Sequence, residues 1–461
     1  MKPGDTQTEP RVHRFPVTPR VLWALACQTL RQCLRRKVLL VLLFFVGVVL
    51  VGHQVMPAHD PVKRLEMLVV WCLHSMWFFG IIVAIFLAAT VLPEDRTRGT
   101  ITTVMTKPVG RLNYLLGRIV GFAMTLGIIL VVMGVVSWGF IRWRGAALGG
   151  KAPGEVVLTA KRGIDPTRVF LLEPGQPKMT LAPEAASAVL RGRVERKLVF
   201  HFRSHLGRLP EGNQTFEMTP YVWTGAKLPN TPAEVVVTNP LTGERLPLEV
   251  TLDSDRTLAV TFPRSLVDAK AGVEVSVRRL SPGAYVRAAR GTFQLMRPAM
   301  PFEYSYVKSL LMIFFSFLLV VVISITASTF LSGWVAVLVA FVAYFFAAMQ
   351  EVLLDFMQGL KGEAVGLVGA HAFRHVHHGM APEHVADPWY VIVVNRVFYG
   401  VLWVFTHIFP NFDRFDAAPY LVSARDVPAA VVGMATLIFL GYAVCYLILG
   451  HIVFWRRELV P

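Results

Sequence analysis

The chain has 461 residues, 54% of them hydrophobic and 16% charged, with a mean hydropathy of +0.53, well to the apolar side of a soluble globular composition. Its formal charge is +16, from 46 basic and 30 acidic residues; nucleic acid is one source of such a surplus, but basic residues also orient membrane helices, and the apolar content favours that cause. Four cysteines are too few for a disulfide framework, and the useful count in so apolar a chain is of spans of about 20 residues rather than of soluble domains.

The first 36 residues carry Arg11, Arg14, Arg20, Arg31, Arg35 and Arg36 without an early apolar core. They do not read as a cleavable signal peptide, so the first span is expected to be an uncleaved anchor. From Pro19 to Lys37, the residues Val21, Leu22, Leu25, Leu30 and Leu34 recur at roughly helical spacing, with Arg20, Gln28, Arg31 and Arg35 between them. That is the pattern of an interfacial amphipathic helix, or else of the first turns before a span.

Runs long enough to cross about 30 Å of hydrocarbon lie at 38–56, 68–92, 113–141 and 428–454. From Ser309 to Gln350 the chain runs 42 residues without a charge, with Ser332 and Gly333 near the middle. This is about twice the length of one span and reads as a helical hairpin, giving six spans. A further run, Trp389 to Phe409, is bounded by Pro388 and Pro410 and interrupted by Asn395, Arg396 and Gly400. Charge bias decides against its crossing. With six spans, the eight basic residues of 1–37, the five of 93–118, and Arg456 and Arg457 all fall on one side, the cytoplasmic one by the positive-inside rule.

Residues 145–300 differ in character: 14 of the 29 prolines lie there, with 21 basic and 14 acidic residues, no cysteine and no spanning run. Short alternating or β-branched segments at Lys197–Arg203, Glu234–Thr238, Leu246–Leu252, Thr257–Phe262 and Val273–Arg279 are separated by turn-forming clusters. The expectation is an extracytoplasmic antiparallel β-sandwich, since long domains are translocated largely regardless of charge. It would serve as a binding domain, as a contact for anionic headgroups, or as a scaffold over the spans.

Between the second and third spans run Pro93-Glu94-Asp95-Arg96-Thr97-Arg98-Gly99-Thr100-Ile101, then Lys107-Pro108-Val109-Gly110-Arg111 and Tyr114-Leu115-Leu116-Gly117-Arg118. Pro93 suits an early helical position, Glu94 and Asp95 suit a helix N-terminus, and Pro108 with Gly110 suits a stop before the next span. In this acidic pair, the Gly-Thr, the Lys-Pro turn and the Leu-Gly-Arg, the sequence resembles permease subunits of the type-2 ABC transporter family. Phe409-Pro410-Asn411-Phe412 and Phe454-Trp455-Arg456-Arg457 support the resemblance, which covers 15–141 and 305–461. The large insert departs from the compact family pattern.

The resemblance implies a dimeric pathway, a homodimer or paired permease, moved by separate ABC ATPase subunits. It implies that 93–111 couples to that ATPase through Glu94, Asp95, Arg96, Arg98, Gly99, Thr100, Lys107, Pro108 and Arg111. The chain has no G-x-x-x-x-G-K-[ST] phosphate loop. It is therefore expected to have no enzymatic activity and no cofactor of its own, with ATP and Mg bound by the partner.

Among weaker signals, His371, His375 and His378 are spaced to share a helix face as zinc or copper ligands, although Gly369, Gly379 and Pro382 argue for a loop. Glu351, Asp355 and His74 are pathway candidates, with span termination or a bonded buried histidine as the plain alternatives. The domain plan is 1–37 with the amphipathic helix, spans one to three in 38–141, the β domain in 142–304, a hairpin in 305–356, an external His-rich and interfacial stretch in 357–427, and the last span and tail in 428–461.

The expected protein is a multi-pass permease of the plasma (inner) membrane with both termini cytoplasmic, acting as an exporter. The partners expected are an ABC ATPase, the lipid bilayer and, for the external domain, an extracytoplasmic protein, with no nucleic acid. The competing reading is a membrane-anchored extracytoplasmic binding or assembly protein, which has no need of the 93–111 motif.

Overall fold

A helix forms over residues 19–34 because Leu25, Ala26, Thr29 and Cys33 recur on one stripe, and in the computed structural model that stripe is the buried one. The structure describes residues 19–34, 38–55, 61–97, 110–148, 158–173, 179–181, 187–190, 194–203, 206, 209, 212–224, 231–252, 257–268, 270–281, 284–289, 293–361 and 389–456. The chain divides into two units: Met1–Val157 with Tyr306–Ser423 and Val427–Pro461, and Leu158–Ser305 with Ala424–Asp426.

The first unit is helical: α1 Pro19–Leu34, α2 Val38–Val55, α3 Pro61–Thr97, α4 Arg111–Leu148, α5 Phe302–Phe330, α6 Gly333–Ala348, α7 Gln350–Lys361, α8 Trp389–Ile408, α9 Ala418–Val422 and α10 Ala429–Arg456. Among the described residues four segments are long and apolar enough to cross a bilayer, Lys63–Asp95, Leu112–Ala147, Phe302–Phe330 and Ala429–Trp455; Leu40–Val55 and Gly333–Ala348 are shorter apolar helices. The uncharged stretch breaks where expected: α6 begins at Gly333 with Ser332 as its N-cap. Its 16 residues reach about 24 Å, and α7 resumes after a break at Met349.

Helix α5 is the central element, with 72% of its apolar window buried against 17% for α10. Two of its buried hydroxyls bond to its own backbone, Ser316 Oγ to the Ile313 carbonyl (2.7 Å) and Thr326 Oγ1 to the Val322 carbonyl (2.8 Å), which satisfies them within the helix.

Two local expectations need correcting. Pro93 lies inside α3 rather than starting a new helix. Glu94 and Asp95 therefore occupy the last turn of α3, at its C-terminal end. The helix tolerates Pro93 because its core is held by packing against other helices rather than by every backbone bond. Beyond it α4 runs to Leu148, and α5 begins at Phe302.

The second unit is built of strands β1 Thr159–Ile164, β2 Arg168–Leu172, β3 Met179–Leu181, β4 Ser187–Leu190, β5 Lys197–Phe202, β6 Gln214–Met218, β7 Tyr221–Thr224, β8 Thr231–Thr238, β9 Arg245–Leu252, β10 Leu258–Phe262, β11 Val273–Arg279, β12 Ala284–Ala289 and β13 Phe293–Pro301. They form sheets ordered β1-β13-β6-β10, β3-β2-β5-β11-β8-β9 and β4-β12-β7. Every named strand pair is antiparallel. Alternation on β8 and β11 sends Val235, Val237, Val275 and Val277 inward. The core closes where Phe200 stacks on Phe293 at 4.6 Å and Phe202 meets Phe216 edge-on at 6.0 Å.

A distant segment completes this unit. The Lys161 amide donates to the Ala424 carbonyl (2.7 Å), and the Asp426 amide donates to the Lys161 carbonyl (2.8 Å). The Asp426 carboxylate accepts from Arg162 Nε and from Ser305 Oγ, each at 2.8 Å.

Candidate functional site

Helices α1, α3 and α4 converge where α3 ends and α4 begins. Close approach of α1 to α4 depends on two glycines one turn apart. A Cβ on Gly117 would lie 2.6 Å from Leu25 Cβ, and one on Gly121 would lie 2.4 Å from Thr29 Cβ and 2.8 Å from the Ala26 carbonyl oxygen. Small residues at this spacing let two helix backbones come together.

Into that junction Asp95 and Arg118 project, each only 2% exposed. Arg118 Nη2 is ion-paired with Asp95 Oδ2. Arg118 Nη1 donates to Gln32 Oε1 (2.8 Å) and Thr29 Oγ1 (3.1 Å), both on α1. Tyr114 Oη donates to Asp95 Oδ2 (2.5 Å), its ring lies 5.4 Å from the Arg118 guanidinium carbon, and it stacks on Phe454 of α10 at 6.3 Å. One guanidinium thus ties three helices, and Tyr114 adds a fourth. A buried charge is tolerable only when paired and bonded in this way.

Of the expected coupling residues, Asp95 is engaged inside the helical unit and is not an exposed charge. Glu94 is half-buried and already has a partner within the chain. Arg96 lies in the last turn of α3 and Arg111 opens α4, but their side chains lie outside the described residues, as do Arg98, Gly99, Thr100, Lys107 and Pro108 altogether. In the sequence Tyr114, Gly117 and Arg118 are motif letters without a role, and nothing local marks Thr29 or Gln32. The one signal for them was an arginine inside an otherwise apolar span, which requires a partner.

A second cluster surrounds His74. Its Nε2 lies 3.7 Å from Asp416 Oδ2, and its Nδ1 is 3.0 Å from the Val70 carbonyl. Trp77, one turn on, donates to Ser316 Oγ at 2.9 Å and packs on Tyr344 and Phe412. Burial would raise the Asp416 carboxyl, but the His74 imidazole and the Ala418 amide outweigh it and hold the group below its ordinary value. Asp413 goes the other way, raised by burial and by the charges of Glu351 and Asp416. Glu351 is exposed at the start of α7, and Asp355 lies in the same helix with its side chain outside the described residues. His371, His375 and His378 also lie outside them. Among the described residues no three His, Cys, Asp or Glu side chains group as metal ligands.

Residues 23–161 match the family model described as ABC-2 family transporter protein. The resemblance of this segment to type-2 ABC transporter permeases is therefore shown; the match takes in the junction of α1, α3 and α4 and stops inside β1. No curated protein matches the chain. A solved structure of the Clostridium thermocellum N-terminal endo-1,4-β-D-xylanase 10B, its CBM22-1 and GH10 modules complexed with xylohexaose, is similar at 8% identity and a TM-score of 0.20. The chain spans 28% of that protein's length, with 31% of this chain covered, and a likeness of that size carries no argument.

Proposed function

With residues 23–161 matching the ABC-2 family transporter proteins, we propose that this chain is the membrane-spanning permease subunit of an ABC exporter, driven by ATP and Mg bound to a separate ATPase. It works as a pair of permease subunits in the plasma membrane, with six spans formed by α2, α3, α4, α5, α6 and α10. Both termini are cytoplasmic, and the strand-rich unit is an extracytoplasmic β-sandwich.

The observation that carries this reading is the buried Asp95–Arg118 pair at the root of the 93–111 segment. A chain that merely anchors an external domain has no use for a polar link of three helices at that point. A chain that must pass force from a docked ATPase into its spans does. In this reading Asp95 is a positioning residue that holds the end of α3 against α1 and α4. The docking contacts fall to Glu94, Arg96, Arg98, Lys107 and Arg111, while Gly99, Thr100 and Pro108 shape the segment.

The test is co-purification of the ATPase with the chain carrying Glu94→Lys and Arg98→Glu. Loss of the ATPase with membrane insertion intact is the expected result, and undiminished complex yield would sink the coupling assignment.

A further inference from the structure

At the other ends of α3 and α4, these two helices and α2 build a second polar cluster. His53, 4% exposed, is met from two sides: Arg144 Nη2 donates to its Nδ1 (2.8 Å) and Arg64 Nη2 donates to its carbonyl oxygen (3.1 Å). Because an arginine can only donate, Nδ1 accepts, and the imidazole is neutral with its proton on Nε2. Phe140 seals the ring edge-on at 5.6 Å. The two guanidiniums carry no ion pair to a described carboxylate, and the Nε–H of each is shielded from water without an acceptor among the described residues. Two guanidiniums gathered around one neutral imidazole, with no carboxylate among the described residues to balance them, are costly unless an anion joins them.

Position says which anion. Arg118 and Arg144 are 26 residues apart on α4, about 39 Å along a helix, close to the 40–45 Å between the two headgroup layers of a bilayer. The exposed Trp143, 5.2 Å beneath the Arg144 guanidinium carbon, suits the aromatic belt at headgroup depth. Below the cluster, an apolar groove of about 570 Å³ runs along α2, lined by Phe44, Gly47, Val51, Gly52, Val55 and Trp71. Trp71 lies two turns from Arg64 on the same face of α3, and its indole sits against Gly52, where a Cβ would be 2.2 Å from Nε1. The groove therefore leads towards the cluster.

We propose that this is a binding site for one anionic phospholipid, its phosphate bridging Arg64 and Arg144 and an acyl chain lying in the α2–α3 groove. Placing it in the outer leaflet rests on the topology proposed above, whereas the lipid contact does not. The test is retention and titration of phosphatidylglycerol by the purified full chain, read by native mass spectrometry. Arg64→Gln with Arg144→Gln should weaken binding by at least about tenfold, whereas Lys63→Gln, exposed nearby and outside the cluster, should not. Gly47→Phe, whose side chain enters open space, should also weaken it while leaving the guanidiniums untouched. Binding equal to wild type in the Arg64→Gln, Arg144→Gln double variant or in Gly47→Phe would overturn the proposal, and so would displacement of the lipid by millimolar inorganic phosphate, which would mark a soluble-anion site.

Discussion

Asp95 and Arg118 come from helices joined by the 93–111 segment, yet they meet inside the protein as an ion pair sealed from water on both sides. The pair holds the end of α3 from within, because whatever moves it must also move the guanidinium that α1 holds through Thr29 and Gln32.

Removing one partner strands the other. Asp95→Asn or Arg118→Met alone should cost about 3–5 kcal/mol, read as an earlier thermal unfolding of the detergent-solubilised chain. Replacing both, Asp95→Asn with Arg118→Met, should cost clearly less than the sum, because no uncompensated charge then remains. Additive losses would mean that the two groups do not interact.

The glycine contacts predict a sharp contrast along α4. At Gly121 a methyl group meets the Ala26 carbonyl oxygen at 2.8 Å; backbone cannot yield as a flexible side chain does, so Gly121→Val should destabilise by about 1–3 kcal/mol. Gly139→Ala enters open space and should be neutral, or stabilising by up to about 1 kcal/mol through helix propensity. Crosslinking between cysteines placed on α1 and α4 should fall in the first variant and persist in the second.

Much of this was legible in advance, and the residues explain where legibility stopped. The alternating runs that became β5, β8, β9, β10 and β11 were readable because one face of each is apolar and the other polar. The shorter strands β3, β4 and β7 carry too few residues to display a period. The break at Ser332-Gly333 was readable from composition, whereas the end of α3 was misplaced: Pro93 is a helix-start signal only when nothing holds the preceding turns in place. Of the coupling network, the motif letters were visible but their direction was not. Whether Asp95 faces an ATPase or an arginine 23 residues on depends on how α3 and α4 pack, which no local pattern encodes.

Asp268 offers a pH test in the β unit. Its carboxylate accepts from the backbone amides of Ala271 (2.5 Å) and Lys270 (2.7 Å), and these hold its pKa below the ordinary carboxylate value. The turn ends at Gly272, with φ +92° and a hypothetical Cβ 2.1 Å from the Phe202 carbonyl oxygen. A carboxyl lowered on folding stabilises above its unfolded pKa of about 3.9, and that contribution is lost as the pH falls through the lower folded value. Hydrogen exchange over residues 264–275 should therefore be slower in wild type than in Asp268→Asn near pH 7, and the difference should vanish in acid. A difference that grows as the pH falls would reverse the sign and exclude this account.

Among the described residues the hydrogen bonds that reach furthest along the sequence join Asp426 to β1. Asp426 follows α9 and precedes α10, yet its amide and carboxylate, with the Ala424 carbonyl, bond to β1 and Ser305. With its carboxylate nearly buried, Asp426→Ala would remove the acceptor of the Arg162 Nε and of the buried Ser305 hydroxyl, at about 1–3 kcal/mol for the lost charge-assisted bonds. Asp426→Asn keeps an acceptor oxygen and loses only the charge assistance, so it should fall between Ala and wild type. Limited proteolysis of the full chain reads this directly: cleavage within Leu158–Ser305 should rise in the order wild type, Asn, Ala. Equal protection in all three would mean that the 424–426 segment rests on the strands without stabilising them.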